Sequence, residues 1–343
     1  MSVLQSLGIA LPVIQAPMAG VQDEALAIAA SSAGALGSMP CALLGREQLE
    51  RALDRFASLE APINLNFFCH EMAEPNATQL QRWRDVLAPY YREAGIEMPP
   101  PSNAGARRPI DADTVALLER YRPRVVSFHF GLPAPELLAR VKAWGALVLA
   151  SATTLDEGRW LERNGADVVI AQGIEAGGHR GHFLSDDLAL QPSTLDLVAS
   201  LSSNLSLPVI AAGGIADGGD VQRALAAGAI AVQVGTAYLA CAEATTTSVH
   251  RAALKDVERE TAITNLFSGR PARGLVNRLM RDLGPLSDLA PTFPWASQAL
   301  APLRAHAEAS GRDDFTPLWS GMKRGRFDGM SAADVTRALA GVG

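Results

Sequence analysis

The chain has 343 residues, of which 48% are hydrophobic and 19% are charged, and its formal net charge is −6. This composition is typical of a globular protein with a large core, and the even mixture of acidic and basic residues argues against a nucleic-acid or membrane-surface partner. The three cysteines are widely spaced and form no CxxC pair, which argues against disulfides or a zinc site and favours the reducing cytoplasm.

Two apolar segments lack the pattern of a targeting or membrane-spanning sequence. Residues 1–15 have no basic region and no small-residue cleavage site, so they do not resemble a signal peptide. The most apolar window, residues 224–242, is interrupted by Gly228, Gln233 and Gly235. It predicts the end of a helix followed by a buried strand rather than a membrane span.

Eight short, continuously apolar runs follow one another along the chain, each bounded by glycine, proline or a polar turn. Such runs are typical of parallel strands that are covered on both faces. They span residues 12–18, 35–40, 63–68, 125–131, 147–153, 167–173, 208–214 and 229–237.

Amphipathic, helix-rich stretches lie between these runs. They span residues 23–33, 46–57, 134–143, 155–164, 195–203 and 219–227. Because eight β-runs alternate with helices, the sequence predicts an α/β fold, a (β/α)8 TIM barrel. A doubly wound open sheet is the alternative, but it normally carries GxGxxG after the first strand, and here that strand ends in APMAG.

Two segments depart from the alternation. Residues 70–111 contain the irregular stretch PPPSNAGARRP, and residues 244–320 are punctuated by proline and glycine, as in GPLSDLAPTFPW. Residues 331–342 begin with a serine suited to capping a helix and carry an apolar stripe, so we assign the helix that closes the barrel there. We therefore predict a barrel domain and, over its C-terminal face, a smaller and mainly helical extension. The barrel comprises residues 1–69, 112–243 and 321–343, and the extension comprises residues 70–111 and 244–320.

The ends of the seventh and eighth runs indicate a phosphate site. Gly213 and Gly214 end the seventh run, a helix is predicted to begin near Gly218, and Gly235 and Thr236 lie near the end of the eighth run. Bare backbone and a hydroxyl near a helix N-terminus are typical of phosphate binding at the C-terminal face of such barrels. The alternative is a pair of tight turns without a ligand.

Amide side chains at the strand ends favour a flavin mononucleotide over a sugar phosphate. Amides match the alternating donors and acceptors of a heteroaromatic ring. A Schiff-base aldolase would need a lysine on a strand, and none of the three lysines lies in a run. The amides are Gln15, Asn64, Asn66, Gln172 and Gln233.

Two histidines follow the sixth run, in the stretch QGIEAGGHRGHF. His179 comes directly after two glycines, and its imidazole can accept a proton when neutral or bind an anion when protonated. His182 precedes the apolar Phe183, so we expect it to turn away from the site. No Asp, Glu or Cys completes a convincing metal site with these histidines. His129, in the fourth run, is a second catalytic candidate, with a buried structural histidine as the alternative.

Several segments of the chain, in the order in which they occur, resemble the class I nitronate monooxygenases, formerly called 2-nitropropane dioxygenases. The near relatives of that family are FMN-dependent enoyl-acyl-carrier-protein reductases and an NADH:quinone reductase group. The resemblance covers essentially the whole chain. The segments are PVIQAPMAG, NLNFFCH, SFHFGLP, QGIEAGGHRG, PVIAAGGIADG, VQVGTA, FSGRPARGLVNRLM and DFTPLWSG.

The resemblance implies an FMN-dependent barrel that oxidises alkyl nitronates, typified by propionate 3-nitronate, with O2. The products would be a carbonyl compound and nitrite, formed by way of a flavin semiquinone. His179 would be the catalytic histidine and His129 its substrate-facing partner. The implied FMN contacts are Ala16, Pro17, Met18, Asn66, Gln172, Gly177, Gly178, Gly213, Gly214, Gln233, Val234, Gly235 and Thr236.

The same resemblance leaves an alternative activity open, the NAD(P)H-dependent reduction of quinones or enoyl thioesters. The chain departs from the family pattern at Met322, where we expect Gln, and in residues 104–111, which offer no tyrosine at the lid position. Both departures concern the preferred nitronate. We expect a cytoplasmic monomer or homodimer whose partners are a small nitronate and O2.

Overall fold

A ring of eight parallel strands forms the centre of the computed structural model, which describes residues 3–59, 61–100 and 107–342. The ring has the order β1-β9-β8-β6-β5-β4-β3-β2, and a parallel bridge between Ile14 and Leu36 joins its two ends. Each predicted run contains one strand of the ring, so the predicted TIM barrel is confirmed. In chain order the strands are β1 (Val13–Gln15), β2 (Gly37–Pro40), β3 (Ile63–Phe68), β4 (Val125–His129), β5 (Leu147–Ala152), β6 (Val168–Gln172), β7 (Gly178–His179), β8 (Val209–Ala212), β9 (Ala231–Val234), β10 (Thr261–Thr264) and β11 (Ala272–Leu275).

Helices alternate with the barrel strands as the sequence predicts. Each of the six predicted helices coincides with one of α2, α3 and α6–α9, and α13 closes the barrel. The helices are α1 (Val3–Leu7), α2 (Glu24–Ser32), α3 (Arg46–Ala57), α4 (Ala77–Ala94), α5 (Ala112–Tyr121), α6 (Pro135–Ala143), α7 (Leu155–Arg163), α8 (Thr194–Asn204), α9 (Gly218–Ala226), α10 (Ser248–Lys255), α11 (Arg278–Leu283), α12 (Ala296–Ala309) and α13 (Ala332–Ala340).

Side-chain caps explain where several of these helices begin. The residue before the helix accepts a hydrogen bond from a backbone amide of the first turn, which satisfies a donor that the helix itself leaves unpaired. Ser331 caps α13 in this way, as its sequence position predicts. The same cap occurs at Asp23, Thr154, Ser193 and Asp217.

Two apolar layers leave only one end of the barrel available for a site. One layer lies between the sheet and the surrounding helices. The other combines α1 with inward-facing strand residues, among them Ile14, Leu149, Ile170 and Ile210. Because α1 precedes β1, this second layer fills the barrel at the N-terminal ends of the strands. A ligand site therefore belongs at their C-terminal ends.

The segments predicted as the extension share an apolar core of their own. Trp83 and Tyr91 of α4 pack among residues of α11 and α12. Trp83 also donates to the carbonyl of Ala296 at 3.1 Å, and Tyr91 donates to that of Ala299 at 2.8 Å. This separate core supports the predicted division into two domains, which remains a prediction. The irregular stretch predicted near residue 100 includes residues 101–106, which lie outside the described residues.

No helix in the described part of the chain is long and apolar enough to cross a membrane. The apolar window at residues 224–242 consists of the end of α9, strand β9 and a short 3-10 helix at Thr236–Ala240.

Candidate active site

A cavity of about 1350 Å³, including the part that is open to solvent, lies at the C-terminal ends of the barrel strands. Parallel strands in a closed barrel all end at one face, which brings residues from distant parts of the sequence together. Every residue that the resemblance implied for catalysis or for contact with the cofactor lines this cavity. These residues are Ala16, Pro17, Met18, Asn66, His129, Gln172, Gly177, Gly178, His179, Gly213, Gly214, Gln233, Val234, Gly235 and Thr236.

Among the described residues, five other side chains that line the cavity and carry a nitrogen or oxygen atom were not singled out from the sequence. Most of them come from the extension or from the segment after it, so the search at strand ends could not find them. Lys323 was the most accessible to sequence analysis, because it is one of only three lysines and follows the DFTPLWSG motif closely. The missed residues are Arg107, Ser151, His250, Trp319 and Lys323.

Glycine backbone forms the wall of the cavity beyond β8 and β9. Gly213 and Gly214 have φ values of 121° and 66°, a conformation that side chains rarely tolerate. A Cβ on Gly235 would lie 3.4 Å from both Ala16 and Met18, so a small side chain could be accommodated there without a clash. Thr236 Oγ1 accepts from the amide of Gly321 at 2.9 Å, and its hydroxyl proton can still be donated to a ligand.

Lys323 brings positive charge to this wall. Its ammonium group pairs with the buried carboxylate of Asp220, which Arg223 also contacts. Two cations therefore face one carboxylate, and a phosphate beside Lys323 would meet a favourable potential. The first turn of α9 is already capped by Asp217. The lysine thus supplies charge that the sequence analysis had attributed to a helix N-terminus.

Two of the predicted amides do not line the cavity. Gln15 donates to Gln22 at 2.9 Å and accepts from the amide of Ser38 at 3.0 Å. Asn64 donates to the hydroxyl of Ser38 at 3.0 Å. Both side chains are fully buried, so they belong to an internal polar network. A strand-end position alone did not predict on which side of the barrel wall they lie.

Gln172 and Gln233 both line the cavity, but their side-chain oxygens differ in hydrogen bonding. Gln172 donates to the carbonyl of His179 at 2.9 Å and accepts from the amide of Gly181 at 2.7 Å, so it holds the loop after β6. Gln233 Oε1 is buried and has no hydrogen-bond partner among the described residues. A buried acceptor without a partner is costly, and a donor on a bound ligand would satisfy it.

His179 is fixed in position by the extension. Its backbone lies in β7, which pairs in antiparallel fashion with Ala272 and Arg273 of β11. Its Nε2 lies 2.9 Å from Ser268 Oγ, and its ring centroid lies 5.5 Å from that of Trp319. Burial, followed by the charge of Arg107, holds the pKa of His179 well below its ordinary value. The imidazole is therefore neutral at pH 7.

His129 has both ring nitrogens engaged. Nε2 lies 3.2 Å from the carbonyl oxygen of His179, and Nδ1 lies 3.0 Å from Ser151 Oγ. Because a carbonyl only accepts, Nε2 carries the proton and Nδ1 accepts from the serine hydroxyl. Burial lowers the pKa of His129 to about 3. This geometry favours a positioning role, in which His129 and Gln172 hold the same carbonyl.

His182 and His70 are buried but are not among the described residues that line the cavity. His182 Nε2 lies 3.4 Å from a carboxylate oxygen of Asp186, an orientation that agrees with the expected turn away from the site. His70 has no hydrogen-bond partner for either ring nitrogen within the described chain, and its ring packs 4.7 Å from that of Phe293. A structural role for both histidines follows.

Replacing His70 with leucine should make the protein more resistant to acid. Burial, followed by the charge of Arg270, lowers the pKa of His70 from 6.5 to about 4. The unfolded chain therefore binds a proton at His70 as the pH falls below 6.5, whereas the folded chain does not, and the wild type loses stability. We expect the free energy of unfolding of His70→Leu to gain about 1.6 kcal/mol on the wild type between pH 6.5 and 5. Urea unfolding at both pH values measures the difference, and a constant difference would contradict the buried neutral state.

Comparisons with known proteins agree over nearly the whole chain. A family model described as nitronate monooxygenase matches residues 2–339. The chain is 40% identical to the nitronate monooxygenase of Pseudomonas aeruginosa over 337 residues, which cover 97% of this chain and 96% of that protein. A nitroalkane oxidase from Streptomyces ansochromogenes has a similar structure, with a TM-score of 0.87, 36% identity, and coverage of 99% of this chain and 97% of that chain. FabK from Thermotoga maritima gives a TM-score of 0.71 at 26% identity, over 98% of this chain and 94% of that chain.

Proposed function

The chain belongs to the nitronate monooxygenase family of flavin enzymes and is an oxidoreductase that oxidises nitronates, and from this premise we propose FMN as its cofactor. The proposed substrates are alkyl nitronates of the propionate 3-nitronate type, which O2 converts to a carbonyl compound and nitrite. One observation supports this proposal most directly. The glycine wall, the unpartnered oxygen of Gln233 and the neutral imidazole of His179 all line one cavity.

The residues of the cavity fit the two ends of FMN. Gly214, Gly235 and Thr236 would hold the phosphate, and Lys323 would balance its charge. Gln233 Oε1 would accept a hydrogen bond from an N–H of the flavin ring, and this buried oxygen would then have the partner that it lacks among the described residues. When bound, FMN would accept electrons from the substrate, which no side chain of the cavity can do.

His179 would bind the nitronate through Nδ1, since Nε2 is already engaged. Ser268 Oγ lies 2.9 Å from Nε2 and 3.2 Å from the carbonyl of Arg270. If the serine donates to the nearer acceptor, Nε2, then Nδ1 carries the proton and can donate to a nitronate oxygen. The opposite tautomer would suit a neutral nitroalkane, from which Nδ1 would remove a proton. Because a nitronate is an anion, the donor tautomer is the one proposed.

Reduction of quinones or enoyl thioesters with NAD(P)H is the less well supported alternative. FabK is 26% identical to this chain, whereas the nitronate monooxygenase of Pseudomonas aeruginosa is 40% identical. The two activities differ in the reductant, which makes them easy to separate by experiment.

The proposed function is tested on the purified holoprotein. We expect flavin absorbance bands, FMN as the released cofactor by mass spectrometry, and O2 uptake with nitrite release when propionate 3-nitronate is added. NADH added without O2 should leave the flavin oxidised for minutes. Another released cofactor would contradict the FMN assignment, and rapid bleaching by NADH would favour the reductase.

A cytoplasmic location and a monomeric or homodimeric state are further parts of the proposal. Cys41, Cys69 and Cys241 are all free thiols, which supports a reducing compartment. Light scattering on the purified holoprotein tests the oligomeric state.

A further inference from the structure

Arg107 is a partly buried cation that lines the cavity, and no carboxylate of the described chain pairs with it. Burial, followed by the charge of Arg304, lowers the pKa of Arg107 to about 10, so the guanidinium group is still charged at pH 7. Arg304 itself is paired with Glu308 at 2.8 Å. A buried charge without a counter-ion is costly unless a ligand supplies one. We therefore expect an anion to bind beside Arg107 in the cavity.

The surroundings of Arg107 add positive charge rather than compensate it. Arg270 lies over the ring of Phe130, 4.2 Å from its centroid, and Arg107 and Arg270 both lower the pKa of His179. Together with burial, which is the larger cause, these charges keep the histidine neutral. Arg107 is the arginine that lines the cavity, and Arg270, which contacts the carbonyl of His182, adds positive charge behind it.

Arg107 is not placed to serve the phosphate of the cofactor. The backbone next to it is attached to the ends of β2 and β3, where Arg108 donates to the carbonyl of Ala42 at 3.4 Å and Ile110 donates to that of Phe68 at 2.9 Å. The glycine wall and Lys323 lie instead at the ends of β8 and β9. In the ring of eight strands, β3 and β8 are four places apart. The anion that Arg107 binds is therefore a different group.

We propose that Arg107 binds a carboxylate at the end of the substrate remote from the nitronate group, and so selects nitronates that carry a second negative charge. The inference rests on the proposed function, in which His179 holds the nitronate group. A guanidinium group offers a planar pair of N–H donors that matches a carboxylate. The segment of Arg107 and the loop of His179 belong to different parts of the chain, which lets the two residues hold opposite ends of one small molecule.

Two nitronates of similar shape and different charge test the proposal. Propionate 3-nitronate carries the carboxylate, and 3-methylbutyl nitronate replaces it with an isopropyl group. We expect the wild type to prefer the first by at least about tenfold in kcat/KM. In Arg107→Gln, kcat/KM should fall at least about 30-fold for the first substrate, mainly through KM, and less than about threefold for the second. Arg108→Gln is the matched control, because Arg108 is exposed, and it should change neither value.

The outcomes separate this inference from the proposed function. A wild type that oxidises neither nitronate contradicts the proposed function. A wild type that oxidises both equally well, or an Arg107→Gln variant that loses both activities to the same extent, overturns only the role of Arg107. If Arg107→Gln does not retain FMN, Arg107→Lys takes its place. This variant keeps the charge but loses the planar pair of donors, so it should keep a reduced preference of at least about threefold for propionate 3-nitronate, and complete loss of the preference would overturn the proposal.

Discussion

Replacing His179 with leucine should lower nitronate turnover at least about a hundredfold while FMN stays bound. The imidazole is held by β7–β11 pairing and by Ser268, and in the proposed tautomer its Nδ1 would offer the nitronate a donor in a fixed position. Leucine fills a similar volume and offers no hydrogen bond. Steady-state O2 consumption with propionate 3-nitronate, normalised to flavin content, measures the loss.

Two further variants define what His179 does. His182→Leu should lose less than about tenfold, because His182 is buried beside Asp186 and does not line the cavity. His179→Asn places an amide nitrogen close to the position of Nδ1, so it should be at least about ten times more active than His179→Leu. Equal activities of the asparagine and leucine variants would indicate a base rather than a donor. A larger loss at His182 would show that the wrong histidine was assigned.

The barrel and the membership of its site could be predicted because both follow from local patterns. Apolar runs ended by glycine mark the strands, and closure of the ring then brings Met18, Asn66, His179 and Gly235 to one face without further information. The prediction depends on strand order alone, not on side-chain contacts.

The roles of individual side chains depended on contacts that no local pattern contains. Gln172 and His129 both bind the carbonyl of His179, a contact that the resemblance did not imply, since it implied a flavin contact for Gln172 and a substrate contact for His129. Phe130 has a φ of 69°, which ends the strand alternation and turns its ring towards Phe68. Arg107 enters the cavity from the extension, so its position follows from the packing of two segments that are distant in sequence.

Replacing Gly235 with aspartate should weaken the binding of FMN at least about a hundredfold. Gly235 has a φ of −113°, which any residue can adopt, so the substitution does not strain the backbone. It adds a carboxylate where the phosphate is proposed to lie, and the repulsion of two charges at about 4 Å amounts to several kcal/mol near a protein surface. Fluorescence titration of the apoprotein with FMN gives the dissociation constant without relying on activity.

A neutral substitution and a ligand without phosphate separate charge from crowding at this site. A Cβ at Gly235 would lie 3.4 Å from Ala16 and Met18, which is close but tolerable, so Gly235→Asn has nearly the size of the aspartate variant without its charge. We expect Gly235→Asn to bind FMN within about tenfold of the wild type. Riboflavin lacks the phosphate, and Gly235→Asp should bind it about as well as Gly235→Asn does. If the aspartate variant loses riboflavin as strongly as FMN, the defect is steric, and the phosphate must lie elsewhere than between the ends of β8 and β9.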